Sequence, residues 1–141
     1  MTKFLQISGI VFWLQVSGLS VYGFYSWFQF NQLENEVNAF AQDFTQEILS
    51  NRDYDQYSTF FDSSFDESNF LVLSKSLEKL GTHQSCKYQS SVELPGPAST
   101  ISGNCIFQNS EAELYIELSK NQTSWLINII RITSGIFEIA L

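Results

Sequence analysis

Two cysteines, a single histidine and a group of tyrosines and acids are the side chains of this chain with chemistry to offer. Cys86 and Cys105 are not spaced as metal ligands, and no third or fourth ligand accompanies them. Their neighbours alternate instead. Cys86, Tyr88, Ser90 and Val92 alternate with Lys87, Gln89, Ser91 and Glu93, and Ile101, Gly103, Cys105 and Phe107 form a second alternating face. Pro95-Gly96-Pro97 between them is a turn signal. An antiparallel hairpin that pairs Cys86 with Cys105 centres its turn between Pro95 and Gly96, where the turn chemistry independently puts it. The same register sets Tyr88 against Gly103, Ser90 against Ile101 and Val92 against Ser99. Opposed Cα atoms in such a pair lie roughly 4.5–5.5 Å apart, within disulfide reach. A Cys86–Cys105 disulfide across this hairpin is therefore predicted. It would close a loop of about 20 residues and add roughly 3 kcal/mol on the chain-entropy model.

The other candidates carry less. His83 lies in a helix-to-strand connection, no Ser or Cys partner follows from spacing, and it reads as a turn or surface residue. Tyr54 and Tyr57, with Asp55 and Asp62, are placed to line a pocket mouth. At helical spacing with Phe60 and Phe61, however, these rings read first as core. Trp125 opens the last strand, so Tyr54, Tyr57, Phe61 and Trp125 are the candidate pocket or core lining. No acid sits on an apolar strand face, where a buried general base belongs. No catalytic residue, cofactor or metal site is predicted. Asn121-Gln122-Thr123 matches the N-glycosylation acceptor pattern and falls in a turn.

Helices and strands must position these groups. Leu33, Val37, Phe40, Ala41, Phe44 and Ile48 recur at helical spacing. Ser50-Asn51-Arg52 interrupts them, and Asp53 is an N-cap candidate for a second helix ending at Asp62-Ser63-Ser64. Asp66-Glu67-Ser68 leads into a third helix through Phe70, Leu73, Leu77 and Leu80, with Gly81 just past its end. Four strands follow. The third carries Ala112, Leu114, Ile116 and Leu118 on one face. The fourth, Trp125 to Thr133, is apolar on both. The predicted fold class is α+β, three helices packed on a four-stranded antiparallel meander. The apolar tail from Ile136 to Leu141 is expected to pair with the sheet or with a second chain.

Phe4 to Phe30 contains no charged side chain and is preceded by Lys3. About 27 such residues are long enough to cross a bilayer, where roughly 20 suffice. Residues 1–30 are therefore expected to be an uncleaved single-pass inner-membrane anchor. Residues 31–141 are expected to be an acidic domain in the periplasm or outside the cell. Gly18 and Ser20 suit a cut site, so a cleaved signal peptide is the competing expectation.

The order of elements resembles the nuclear transport factor 2-like, or cystatin-like, superfamily of cone-shaped α+β folds. Asn51-Arg52-Asp53-Tyr54-Asp55-Gln56-Tyr57 is similar to that superfamily's step into its second helix. Leu77-Glu78-Lys79-Leu80-Gly81 closes the third helix, and Ser124-Trp125-Leu126-Ile127 is similar to the start of its final strand. The resemblance covers roughly residues 33–134. It implies a cone that holds a ligand, a catalytic pair or only packed side chains. The expected function is a non-catalytic interaction or scaffold module of the cell envelope, with another envelope protein or a second copy as partner. A small-ligand-binding domain is the alternative, and an isomerase- or dehydratase-like enzyme a more distant one.

Fifteen acids against seven Lys and Arg give a formal net charge of -8. From Glu34 to Glu67 nine acids face one cation, Arg52. Such a surface repels phosphate backbones. The purified chain is expected to give no salt-dependent mobility shift of DNA or RNA at physiological ionic strength.

Overall fold

The computed structural model describes residues 2–52, 59–93 and 98–141. Helix α1 spans Thr2–Phe44 and passes directly into a π-helical turn, Thr45–Ser50. Helix α2 spans Glu67–Leu80. Five strands follow: β1 His83–Glu93, β2 Ala98–Phe107, β3 Glu111–Asn121, β4 Ser124–Ser134 and β5 Glu138–Ala140. They form one antiparallel meander in chain order, with β1 and β5 at its edges. The chain divides into two units, Met1–Leu33 and Glu34–Leu141.

The element count corrects the sequence expectation of three helices on four strands. The expected helix from Asp53 falls largely on residues 53–58, outside the described residues. Of the part that is described, Thr59 is in a 3-10 turn, and Phe60 and Phe61 are not helical. Phe61 instead forms a parallel bridge to Ile127, with Ile127 N–H donating to Phe60 O at 2.7 Å and Asp62 N–H to Ile127 O at 3.1 Å. Tertiary pairing with β4 thus takes the backbone groups that a helix would have used. The fifth strand comes from the apolar tail. Arg131, Ile132 and Thr133 pair with Ala140, Ile139 and Glu138, and Ile130 and Leu141 exchange both backbone hydrogen bonds at 3.0 and 2.9 Å.

The expected membrane anchor is also overturned, and with it the inner-membrane placement built on it. Among the described residues no helix is long and apolar enough to cross a membrane. α1 has 43 residues, so apolarity is what it lacks. Gln15, Ser17, Ser20, Ser26 and Gln29 interrupt its rings, and Tyr22, Tyr25 and Trp27 carry polar atoms of their own.

α2 is bounded as its sequence suggests. Asp66 is an extended N-cap whose carboxylate accepts from Asn69 N–H at 2.9 Å and from Ser68 Oγ at 2.7 Å. Those bonds hold its carboxyl below the usual value. At the other end each of the last four carbonyls, which a helix leaves without a partner of its own, is satisfied. Arg52 Nη2 donates to Leu77 O at 3.1 Å, Gly81 N–H to Glu78 O at 3.2 Å, Asn109 Nδ2 to Lys79 O at 3.1 Å and Asn109 N–H to Leu80 O at 2.9 Å. Arg52 also reaches Gly81 O at 2.7 Å. The guanidinium sits where a helix C-terminus favours a cation. Gly81 has φ 82°, in the left-handed region, as expected for the residue that stops a helix.

The core lies between these helices and the inner face of the sheet. Phe44, Ile48, Leu49, Leu73, Leu77, Ile101, Ile116, Ile127 and Ile130 are buried in it. On β4 the pairing slips between Ile129 and Ile127. The extra residue, Asn128, lets Ile127 and Ile130 both face inward while Ile129 faces out. The two-sided apolarity of this strand is therefore a bulge in a one-sided strand.

The first hairpin has the expected register, Cys86 to Cys105, Tyr88 to Gly103, Ser90 to Ile101 and Val92 to Ser99. The Pro95-Gly96-Pro97 turn lies outside the described residues. A Cβ added to Gly103 would lie 2.6 Å from Tyr88 Cδ1 and 3.3 Å from Lys87 O. The ring has little freedom to retreat, because the Tyr88 hydroxyl is hydrogen-bonded to Thr45. Gly103→Ala is expected to lower unfolding free energy by about 1–3 kcal/mol in a denaturant titration. Combining it with Tyr88→Leu should recover part of that loss, a non-additivity that only direct contact produces.

Candidate functional site

Cys86 and Cys105 form a disulfide with Cα atoms 4.1 Å apart. Around it the inner face of edge strand β1 meets α1 and the π-turn along a polar seam. Ser90 Oγ donates to Asn38 Oδ1 at 3.1 Å. Tyr88 and Thr45 share a hydrogen bond, and Thr45 Oγ1 also donates to Ala41 O at 2.7 Å. Burial pushes the Tyr88 phenol up, against the opposing effect of the Thr45 bond.

At the lower end of this seam stands His83. Its Nδ1 is 2.9 Å from Ser50 Oγ and its Nε2 is 3.2 Å from Cys86 Sγ. The ring stands edge-on to Phe107 with centroids 5.5 Å apart. Burial holds the imidazole below its ordinary value. Sequence spacing concealed this cluster for two reasons. Strict alternation puts residues 83 and 86 on opposite faces of a strand. A register shift between His83 and Ser85 removes one step, so His83 pairs with Phe107 and shares the inner face with Cys86. Ser50 arrives from 33 residues earlier, at the end of a turn closed by Asn51 N–H to Gln46 O at 2.9 Å. That wider turn is characteristic of π-helix, which is over-represented at functional positions. By sequence His83 falls in a helix-to-strand connection, and no sequence signal marks the bulge.

Of the candidate lining residues, Tyr54 and Tyr57 lie outside the described residues. Phe61 is buried, with its ring centroid 4.3 Å from that of the tilted Phe65 ring and edge-on to Phe44 at 6.3 Å. Trp125 is buried as well, and its Nε1 donates to Glu36 Oε2 at 3.3 Å. Lys120 forms an ion pair with the same carboxylate and lies over the Trp125 ring, 5.6 Å from its centroid. The structure places Phe61 and Trp125 in packed surroundings.

The opposite face of the sheet is open. One groove of about 780 Å³ is lined by Lys87, Asn104, Glu113, Tyr115, Arg131 and Glu138, among others. The Arg131 guanidinium lies over Tyr115 at 5.7 Å, and the Tyr115 hydroxyl donates to Glu117 Oε1 at 3.1 Å. Its charges are of both signs. Among the described residues no three His, Cys, Asp or Glu side chains gather as a metal set.

A different surface belongs to the Met1–Leu33 unit. Leu19, Val21, Tyr22, Phe24, Tyr25, Trp27 and Phe28 are all more than half exposed, Leu19 at 74% and Tyr22 at 72%. They occupy nearly consecutive positions, so at helical pitch they face every direction.

Comparison of the chain with known families, curated proteins and solved structures finds no match. Nothing in these comparisons identifies the nuclear transport factor 2-like superfamily.

His83 supplies a pH test of the seam. An imidazole held below its ordinary value binds fewer protons folded than unfolded. Its contribution to stability is complete above about pH 6.5 and is lost as pH falls through the lower folded value. Denaturant midpoints should fall on acidification below about pH 6.5, well above the range where Asp62 and Asp66 titrate. His83→Gln should remove that component, and an unchanged profile in the variant would place the dependence elsewhere.

Proposed function

We propose that this chain is a non-catalytic interaction module whose binding element is the exposed aromatic stretch of α1 and whose first partner is another helix of the same kind. The observation that carries this reading is the ring of exposed side chains from Leu19 to Phe28. A helix that is apolar all round is ordinarily buried, and one left in water has little tertiary packing to hold it together. Exposed apolar area of this kind marks an association surface. The absence of charge from Phe4 to Gln32 adds to the argument, since nothing in that stretch repels a second copy at close approach.

The filled interior of the Glu34–Leu141 unit supports this reading over a ligand-binding cone. Phe44 touches Phe60 and Phe61 edge-on, and Phe40 touches Phe60, with centroids 5.5–6.3 Å apart. Ligand sites are concave and mostly apolar, whereas the groove described above is open and polar. The acidic balance of the chain disfavours nucleic acid as a partner.

Sedimentation of the full chain over a wide concentration range tests this. Association beyond the monomer is expected. Serine at Phe24, Trp27 and Phe28 together should shift the equilibrium towards monomer by at least about tenfold in Kd, roughly 1.4 kcal/mol. A wild-type chain that stays monomeric throughout, or a triple variant that associates as well as wild type, would overturn the proposal.

A further inference from the structure

The line Ser50–His83–Cys86 does more than pack. The two sulfurs of the disulfide differ in their surroundings. Cys86 is half-buried, and its Sγ is 3.2 Å from His83 Nε2. Cys105 is only 2% exposed, on the inner face of β2 between Gly103 and Phe107. An imidazole against one thiol of a pair is the arrangement that turns that thiol into a nucleophile, because the ring nitrogen takes its proton. Ser50 fixes the ring from the other side at 2.9 Å. Its hydroxyl accepts from Nδ1–H in one tautomer and donates to Nδ1 in the other, so the ring keeps its place whichever nitrogen holds the proton.

We propose that Cys86 is the reactive half of a dithiol–disulfide couple, with His83 as its proton acceptor, Ser50 as the residue that positions His83, and a small organic disulfide as co-substrate. This site is separate from the aromatic stretch of α1, and neither reading depends on the other. In the reduced chain His83 Nε2 accepts the proton of the Cys86 thiol while Nδ1–H donates to Ser50 Oγ. The Cys86 thiolate attacks one sulfur of the small disulfide. A Cys86–sulfur bond forms, the bond between the two small-molecule sulfurs breaks, and the electron pair leaves on the distal sulfur, which takes the proton from His83. Cys105, directly opposite on β2, then attacks Cys86 Sγ and displaces the second small thiol, which carries away the Cys105 proton. The protein dithiol loses two electrons and one small disulfide becomes two thiols. The reverse direction is slower. Attack at the reachable sulfur, Cys86, expels Cys105 as a thiolate into apolar surroundings, where it is a poor leaving group.

The experiment uses the full chain, reduced natively and freed of reductant, with oxidised glutathione as the probe. Reaction is stopped by acid and alkylation, and the adducts are located by peptide mass. The first adduct is expected on Cys86, forming about tenfold faster in the native chain than in concentrated urea at the same pH. Cys105→Ser should hold that adduct in place. His83→Gln should abolish the native advantage. Ser50→Ala should lose part of it and Ser50→Thr should keep it, a rescue that a packing role does not explain. A first adduct on Cys105, or a native rate no faster than the rate in urea, overturns the proposal. If His83→Gln fails to fold by circular dichroism, these two wild-type measurements decide the matter.

Discussion

A slip of one residue between β1 and β2 would turn every side chain of β1 to the opposite face of the sheet. The covalent bond between Cys86 and Cys105 forbids that slip, because directly opposed residues are the only ones it can join at 4.1 Å between Cα atoms. Tyr88 then covers Gly103, its hydroxyl reaches Thr45 on the π-turn, and Ser90 reaches Asn38 on α1. Each of these contacts fails in any other register. β1 is an edge strand whose backbone pairs with β2 on one side only. This edge strand is given a covalent lock and a row of polar contacts along its inner face.

The Glu34–Leu141 unit is closed at its other seams by small numbers of polar groups acting on backbone. Arg52, at φ 54°, adopts a backbone conformation that a side chain tolerates poorly. In that position its guanidinium reaches two carbonyls at the end of α2, while Asn109 from the β2–β3 turn reaches two more. A helix end, a strand-to-strand turn and the exit of the π-turn are thereby joined at one point. Between this point and the disulfide the interior is filled by phenylalanine and aliphatic side chains, as dense cores are. That density leaves the chemistry of the unit at its edge, where His83 and Cys86 are half-buried, and on the open outer face of the sheet.

The Met1–Leu33 unit follows a different logic. In the Glu34–Leu141 unit a core of apolar side chains is buried, whereas here those described from Leu19 to Phe28 remain in solvent. The interspersed Gln, Ser and Gly residues deny the segment the unbroken apolar surface that hydrocarbon demands. The rings of Phe24, Trp27 and Phe28 nonetheless present far more apolar area than an isolated helix in water needs. That intermediate character suits contact with another protein surface, which tolerates hydroxyl and amide groups among its aromatic anchors.

Local periodicity was sufficient for the elements whose geometry is local. The helix from Asp66 to Gly81 was legible because its cap, its apolar spacing and its stop all lie within a few turns. The first hairpin was legible because turn chemistry and cysteine spacing fixed the same register independently. Periodicity failed wherever a distant segment competed for the backbone. Phe60 and Phe61 pair with β4 instead of continuing a helix, whereas the tail, expected to pair with the sheet or with a second chain, does pair with β4 as β5. It failed again at bulges, since one extra residue exchanges the faces of all that follows. That is why Ile129 looked buried and why His83 looked remote from Cys86. The long run from Phe4 to Phe30 misled for a further reason, since lack of charge is a weaker condition than the continuous apolarity a membrane requires. Composition and spacing determined the acidic character, the disulfide and the strand order through β4. Only the tertiary structure decided that Ser50, His83 and Cys86 meet, because their meeting depends on a π-turn and a bulge that no pairwise spacing encodes.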